Sequence, residues 1–591
     1  MLAAPWGLLL TNVRLLRTSI FSRINHQAVK LIFSFYLSYP LAAVLKRIPD
    51  QKPWQKNFFI IGHVIIIVAM FYLIGLFDLW GGLQTLLISA GGAYAISRQI
   101  DSPFMPWIGF VFLMGHMSIS HIARMRVEDP SSVDITGAQM VMVMKLTAFC
   151  WNVQDGRLPE SELSEFQKEH MIKELPGIID YLGYVFFFPS LMAGPAFDYC
   201  DYRRYISTTM FALPPGTDPS KAPPTRKKRK IPRSGTPSVI KAIYGTIWIF
   251  AFLKFSAWYN TEALLGPEYM KYWFPRRVFQ LYMLGFTTRM KYYGVWSLAE
   301  GGCILSGIGY NGVDPATGRA KWDRLTNIKP IDIETAQNTR AFLGNWNINT
   351  NSWLRNYMYL RVTPKGKKPG FRATLATFVT SAFWHGFYPG YYLAFVLASF
   401  LQIAAKNGRR LIRPLFMTPD GKTPLPSKRY YDIGTIFLTQ VAFAFTVAPF
   451  ILLGFNDTMK IWTRVYFYTL IGTAGCFALF SRNLPVRAYL AKLQTNRIAV
   501  YDDTGLEKVV TEEVEKDRRQ KMLRRESSEL VNVQGKRAPT LGIADDPEAE
   551  IDEIVAEVKR EIEERRRRGS LMQGFDVRKA VGEQLAKFKK T

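Results

Sequence analysis

The chain has 591 residues, is 48% hydrophobic and 14% aromatic, and carries a formal net charge of +28 at pH 7. So basic a chain raises nucleic-acid binding first, but from Ser481 onward there are 24 basic and 21 acidic residues, which places the excess among the apolar segments and their loops. Nucleic acid is therefore not an expected partner, and the long uncharged runs exclude an ordinary water-soluble globule.

At the N-terminus the apolar run Leu2–Leu10 is short and has no basic residues before it, so no signal peptide is expected and targeting rests on the spans. Residues 58–77, FFIIGHVIIIVAMFYLIGLF, run twenty residues without a charge, enough to cross a bilayer core of about 30 Å. Further apolar segments lie at 31–45, 83–97, 103–123, 138–151, 178–197, 239–258, 278–290, 371–385, 391–405, 433–455 and 463–480. They predict an all-α polytopic membrane protein with about 11 transmembrane helices, some tilted, broken or re-entrant because they are short or polar. Gly194 and Pro195 predict one such break. Cys150, Cys200, Cys303 and Cys476 are far apart and lack paired spacing, so they read as buried thiols, with neither a disulfide framework nor a metal site expected.

Two loops concentrate positive charge: KAPPTRKKRKIPR from Lys221, with seven basic residues, and VTPKGKKPGFR from Val362, with four. The positive-inside rule puts both on the cytosolic side, where they could also attract anionic headgroups or a polyphosphate.

The second loop joins two polar-striped segments. Asn347 to Leu360 and Phe371 to His385 each read as one helix, about 21 to 22 Å long. The Pro- and Gly-rich turn between them sends Asn347 and His385 to the far ends of both legs, at similar depth. On the first leg Asn347, Asn351 and Arg355 recur at four-residue steps; on the second, Thr374, Thr377, Ser381 and His385 form a stripe. Polar groups at membrane depth usually line a protein interior or a wet cavity, which predicts a polar tunnel opening to the cytosol. The Ser and Thr residues fit simple bonding to their own backbone; His385 with Asn347 fits function, because Gly386 and Pro389 end the helix beside them. His63 reads as a core residue, and His116 with His121 as a weaker pair.

Further signals surround this hairpin. WNINTNSWLRNYMYLR and SAFWHGFYPGYY, with KYYGVWSLAEGGCILSGIGYNG and YVFFFPSLMAGPAFDYCDYRRY upstream, resemble the membrane-bound O-acyltransferase (MBOAT) family over most of residues 20–480. The spacing is most similar to the family's fungal, broad-specificity lysophospholipid acyltransferases. The resemblance implies an MBOAT-like helical fold enclosing a tunnel, an acyl-CoA co-substrate with no other cofactor, and lysophospholipid acceptors. It also implies a catalytic pair, carried over to His385 and Asn347, and makes Glu300 a site-shaping residue that binds substrate, although a buried acid there equally fits a structural partner for a basic group.

The chemistry agrees. Moving an acyl group from a thioester to an alcohol needs a general base, for which neutral histidine is suited. Asn347 can orient the imidazole or hydroxyl, or donate to the oxyanion, without adding charge. GxSxG is absent, so direct transfer is expected rather than a covalent acyl-enzyme. Arg355 can meet a phosphate or form an internal ion pair; Asn351, Trp346, Trp353 and Trp384 are expected to line the substrate path.

Residues 1–483 are thus expected to form the membrane domain, and 484–591 a charged cytosolic tail, largely disordered with a solvated helix near 548–568. RRRRGS, ending at Ser570, has the form of a basophilic kinase site. KFKKT at the C-terminus, with Lys587 and Lys589, resembles a dilysine retrieval signal, which would bind a retrieval coat and keep the protein in the endoplasmic reticulum. The rival expectations are an MBOAT enzyme acylating a protein or sterol, a transporter built on the same polar stripes, and a scaffold acting through the tail.

Overall fold

In a computed structural model of the chain, the described residues are 26–48, 54–127, 133–213, 222–226, 230–314, 316–363, 370–418, 423–480, 485–490 and 493. The tail, with its helix near 548–568, Ser570, Lys587 and Lys589, lies outside them but for 485–490 and 493, and both basic loops lie partly outside.

The described residues are mostly helical, with isolated β-bridges such as Val313 to Ala320 and no strand among them. The fold is that of an all-α polytopic membrane protein. Among the described residues, four helices are each long and apolar enough to cross a bilayer: Gln27–Leu45, Phe58–Leu76, Gly235–Phe255 and Lys428–Leu452. Their outer faces leave Phe33, Phe59, Ile67, Ile247, Phe250 and Phe437 exposed, as expected where lipid covers the surface. The other long helices carry polar residues that the rest of the protein covers.

Two of these depart from what hydropathy alone suggests. The segment expected at 278–290 belongs to a 33-residue helix, Phe274–Ser306, about 50 Å long. Its second half carries the buried acid Glu300, which is paired with Lys241 at 2.8 Å, and Ser238 donates to the Gly301 carbonyl at 2.9 Å, both partners coming from Gly235–Phe255. These helices meet where Gly245 faces Gly294: a Cβ on Gly294 would lie 2.6 Å from Ile249, and one on Gly245 2.9 Å from the Gly294 carbonyl. Small residues let backbones approach, the usual route to helix association in lipid. The segment at 178–197 is broken, as expected, into Ile178–Val185 and Phe188–Leu191, followed by a cis Gly194–Pro195 peptide.

The second departure is Thr136–Gly156, the central helix. Residues 138–155 are buried almost without exception, although the run includes Gln139, Lys145, Asn152 and Asp155. Lys145 closes the C-terminus of the broken segment, donating to the carbonyls of Tyr184 and Val185, and its ammonium lies 4.4 Å from the Tyr184 ring centre. A cation suits the carbonyl end of a helix, where the last carbonyls and the helix dipole favour positive charge.

Leucine at Gly294 should therefore separate the two helices. Gly294→Leu is expected to lower stability by about 1–3 kcal/mol, read as a lower thermal midpoint of detergent-solubilised protein. An unchanged midpoint would mean that the crossing is not tight.

Candidate active site

The two legs form as helices. The first is Ile348–Leu354, continued by a π-helical turn over Arg355–Tyr359, and the second is Phe371–His385, with the expected bounds. Asn347 stands at the head of the first leg at φ +46°, the left-handed region that asparagine tolerates better than most residues. Its side-chain oxygen accepts from Thr350 Oγ1 at 2.9 Å. The neighbouring asparagines hold this elbow in place. Asn349 donates through its backbone and side-chain N–H groups to Asn327 Oδ1 at 3.0 and 3.1 Å, and Ile348 N–H donates to the Asn327 carbonyl at 2.8 Å. Asn351 donates to the carbonyls of Leu343 and Trp346, each at 2.6 Å.

The legs are fastened to the central helix by successive rungs. Trp384 Nε1 donates to the Met140 carbonyl at 3.0 Å, Trp353 Nε1 to Thr147 Oγ1 at 2.8 Å, and Tyr357 Oη to Asn152 Oδ1 at 3.0 Å. Arg361 closes the ladder with a two-pronged pair on Asp155 at 2.7 and 2.5 Å. The Trp353 and Trp384 ring centres are 6.0 Å apart, where the legs face each other.

His385 ends the second leg, before Gly386 at φ +117°. Its ring centre is 4.6 Å from Trp384, 5.3 Å from Phe395, 4.8 Å from Phe450 and 5.7 Å from Tyr391. Among the described residues neither ring nitrogen has a hydrogen-bond partner, although the side chain is only half-buried. An unengaged imidazole among aromatic rings can take up a proton from a bound hydroxyl. No hydrogen bond joins it to Asn347 in this structure.

A cavity of about 1030 Å³ lies against the first leg and the central helix. Met144, Lys145 and Trp353 form part of its wall; Gly344, Asn345, Ile348 and Asn349 bring it to both sides of Asn347, while His385 is not among its lining residues. Lining acids are paired: Glu169 with Arg204 at 3.1 Å, Asp201 with Arg324 at 2.9 Å, and Asp198 with His170 at 3.5 Å. Arg355 differs. It bonds only the amide oxygen of Asn356, at 3.1 Å, with no carboxylate in ion-pair range among the described residues.

The remaining residues singled out in the sequence have separate places. Trp346 packs on Tyr292, at 5.5 Å, and on Trp296, at 5.2 Å. Glu300 is buried, with both oxygens taken by Lys241 and by Thr326 at 2.7 Å, and is not among the cavity's lining residues. The two polar stripes do not form one facing wall: Asn351 serves the elbow, Arg355 lines the cavity, and Thr377 bonds its own helix at Ala373. Lys145 and Asn327 escaped the sequence reading. Lys145 had one signal, a lone cation inside an apolar run; Asn327, in a loop without periodicity, had none.

The profile of the membrane-bound O-acyltransferase family matches residues 128–448. The lysophospholipid acyltransferase of Schizosaccharomyces pombe is 43% identical over 483 residues, covering 82% of this chain and 91% of that protein. The Saccharomyces cerevisiae lysophospholipid acyltransferase is 43% identical over 455 residues, 75% of this chain and 72% of that one. The human membrane-bound glycerophospholipid O-acyltransferase 2 is 29% identical over 418 residues, 70% and 77% of the two chains. The matched region takes in the central helix, the elbow and the turn after His385, and the chain belongs to the membrane-bound O-acyltransferase family.

Proposed function

We propose that the chain transfers a fatty acyl group from acyl-CoA to the free hydroxyl of a lysophospholipid, with His385 as general base and Asn347 as its partner. The observation that carries this reading is the imidazole of His385, which among the described residues makes no hydrogen bond and lies beside aromatic rings. The acceptor hydroxyl gives its proton to a ring nitrogen while its oxygen attacks the thioester carbonyl. The carbon–sulfur bond then breaks, and the CoA thiolate takes the proton back. The side-chain amide of Asn347 can donate to the oxyanion formed between these steps. The apolar surroundings limit water, which would otherwise hydrolyse the thioester.

The cavity suits the donor. Its volume is at the upper end for ligand sites, roughly 300–1,000 Å³, and Arg355, with no carboxylate partner among the described residues, offers its guanidinium to a phosphate. The names of the fungal and human relatives support the acceptor class. The basic turn and KFKKT support residence in the endoplasmic-reticulum membrane with the tail in the cytosol.

The purified chain, given oleoyl-CoA and a panel of lysophospholipids, is expected to release CoA and form phospholipid. No transfer to any of them by intact protein would overturn the acceptor class and turn attention to a protein or a sterol. His385→Ala should lower kcat by about 10²–10⁴-fold with an unchanged thermal midpoint; a folded variant at the wild-type rate would remove His385 from the chemistry.

For Asn347 the cleaner deletion is glycine, which keeps the left-handed backbone without strain. Asn347→Gly should cost on the order of 10²–10³-fold in kcat if the amide serves the oxyanion. Arg355→Met is expected to raise KM for acyl-CoA by roughly tenfold or more, leaving KM for the acceptor alone. Equal KM values in variant and wild type would place the donor phosphates elsewhere.

A further inference from the structure

We infer that His121 is a positioning residue for the reaction, clamping the turn that carries His385. The inference rests on the reading of His385 as the base. His121 lies on the helix Met105–Met125, is buried, and comes 263 positions before its partner. Its Nε2 is 3.1 Å from the Trp384 carbonyl oxygen. A carbonyl only accepts, so the imidazole donates through Nε2. Trp384 is in the last turn of its helix, where carbonyls have no partner within the helix, and His121 supplies one.

The same ring covers the next peptide. Gly386 has φ +117° and ψ −163°, a conformation that belongs to glycine, and a Cβ there would lie 2.9 Å from His121 Nδ1. Phe387 meets the ring edge-on, with centres 6.3 Å apart. Trp384 is thus held on two sides, its indole on the Met140 carbonyl and its own carbonyl under His121. His385 follows directly, with its backbone fixed between the Trp384 clamp and the covered glycine. On the far side of the turn, Gly390 N–H donates to the Leu453 carbonyl at 2.9 Å, and a Cβ on Gly390 would overlap the Pro449 carbonyl. The loop bearing the base is therefore fitted against two other helices, and His121 is the side chain that bonds it where the base emerges.

A group that only fills space can be replaced by another of its size; one that aims the base needs its donor. His121→Phe keeps the ring and removes the N–H, whereas His121→Gln places an amide N–H near the position of Nε2. In the acyl-CoA assay with the full chain, His121→Phe should lower kcat by about tenfold to a hundredfold with both KM values unchanged. His121→Gln should keep kcat within about threefold of wild type because the donor is retained.

Wild-type kcat in His121→Phe, or a Gln variant as slow as the Phe variant, overturns the clamp. If the Phe variant does not fold, His121→Asn, too short to reach the carbonyl, takes its place. If only the Gln variant folds, the histidine holds the fold rather than the base, and the inference falls. His385→Ala in the same assay separates the two failures. Activity surviving there ends the base assignment, whereas loss there with full activity in His121→Phe ends only the clamp.

Discussion

The arrangement depends on one constraint: a helix buried on every side that nevertheless carries charge. Thr136–Gly156 takes Lys145 and Asp155 out of water, and each unpaired would cost several kcal/mol. The partners that answer them set the geometry of the molecule. Lys145 requires the broken end of Ile178–Val185 beside it, and Asp155 requires Arg361, with Gln167 adding a bond at 2.8 Å. Between these two anchors Asn152 and Thr147 take Tyr357 and Trp353. The first leg lies alongside the central helix in this register because a shift by one residue would leave several buried polar groups without partners at once.

The same register places the two unusual backbone positions of the hairpin at its two ends. Asn347 is left-handed at the head of one leg, and Gly386 occupies glycine-only space at the end of the other. Residues in such regions persist only where their surroundings over-determine them. Here Asn327 and Asn351 hold the first, while Trp384, bonded through its indole and its carbonyl, holds the second. The asparagine-rich stretch is thus mostly scaffolding, with the side chains of Asn349 and Asn351 spent on holding the elbow. Rigid placement of this kind suits a reaction whose catalyst is position more than acidity.

Much of this was legible in the sequence. The uncharged run at 58–77 could be little but a span, and the bounds of Phe371–His385 follow from the breakers on either side, Gly370 and Gly386. The helix through Glu300 was not legible beyond residue 290, because hydropathy counts the charge but not the Lys241 that meets it 59 positions away. The facing stripes failed for a similar reason. Helical periodicity says which residues share a face, and at Asn351 and Arg355 the neighbours differ: one meets backbone carbonyls of the preceding turn, the other a cavity. The histidine at 121 looked like half of a weak pair with His116, yet the two turn to different helices, His116 to Ser89 at 2.8 Å and His121 to Trp384.

The ladder between the central helix and the hairpin also has a place in time. Asp155 and Arg361 are 206 residues apart, and at a synthesis rate of about 5–20 residues per second their emergence from the ribosome is separated by roughly 10–40 s. Through that interval the central helix exists with its carboxylate made and its guanidinium not yet translated. A helix in that condition is unsuited to release into lipid and is better kept near water or against the insertion machinery until the later segment arrives. The charge on the central helix is therefore answered late in synthesis, and the polar core can close only once Arg361 has been made.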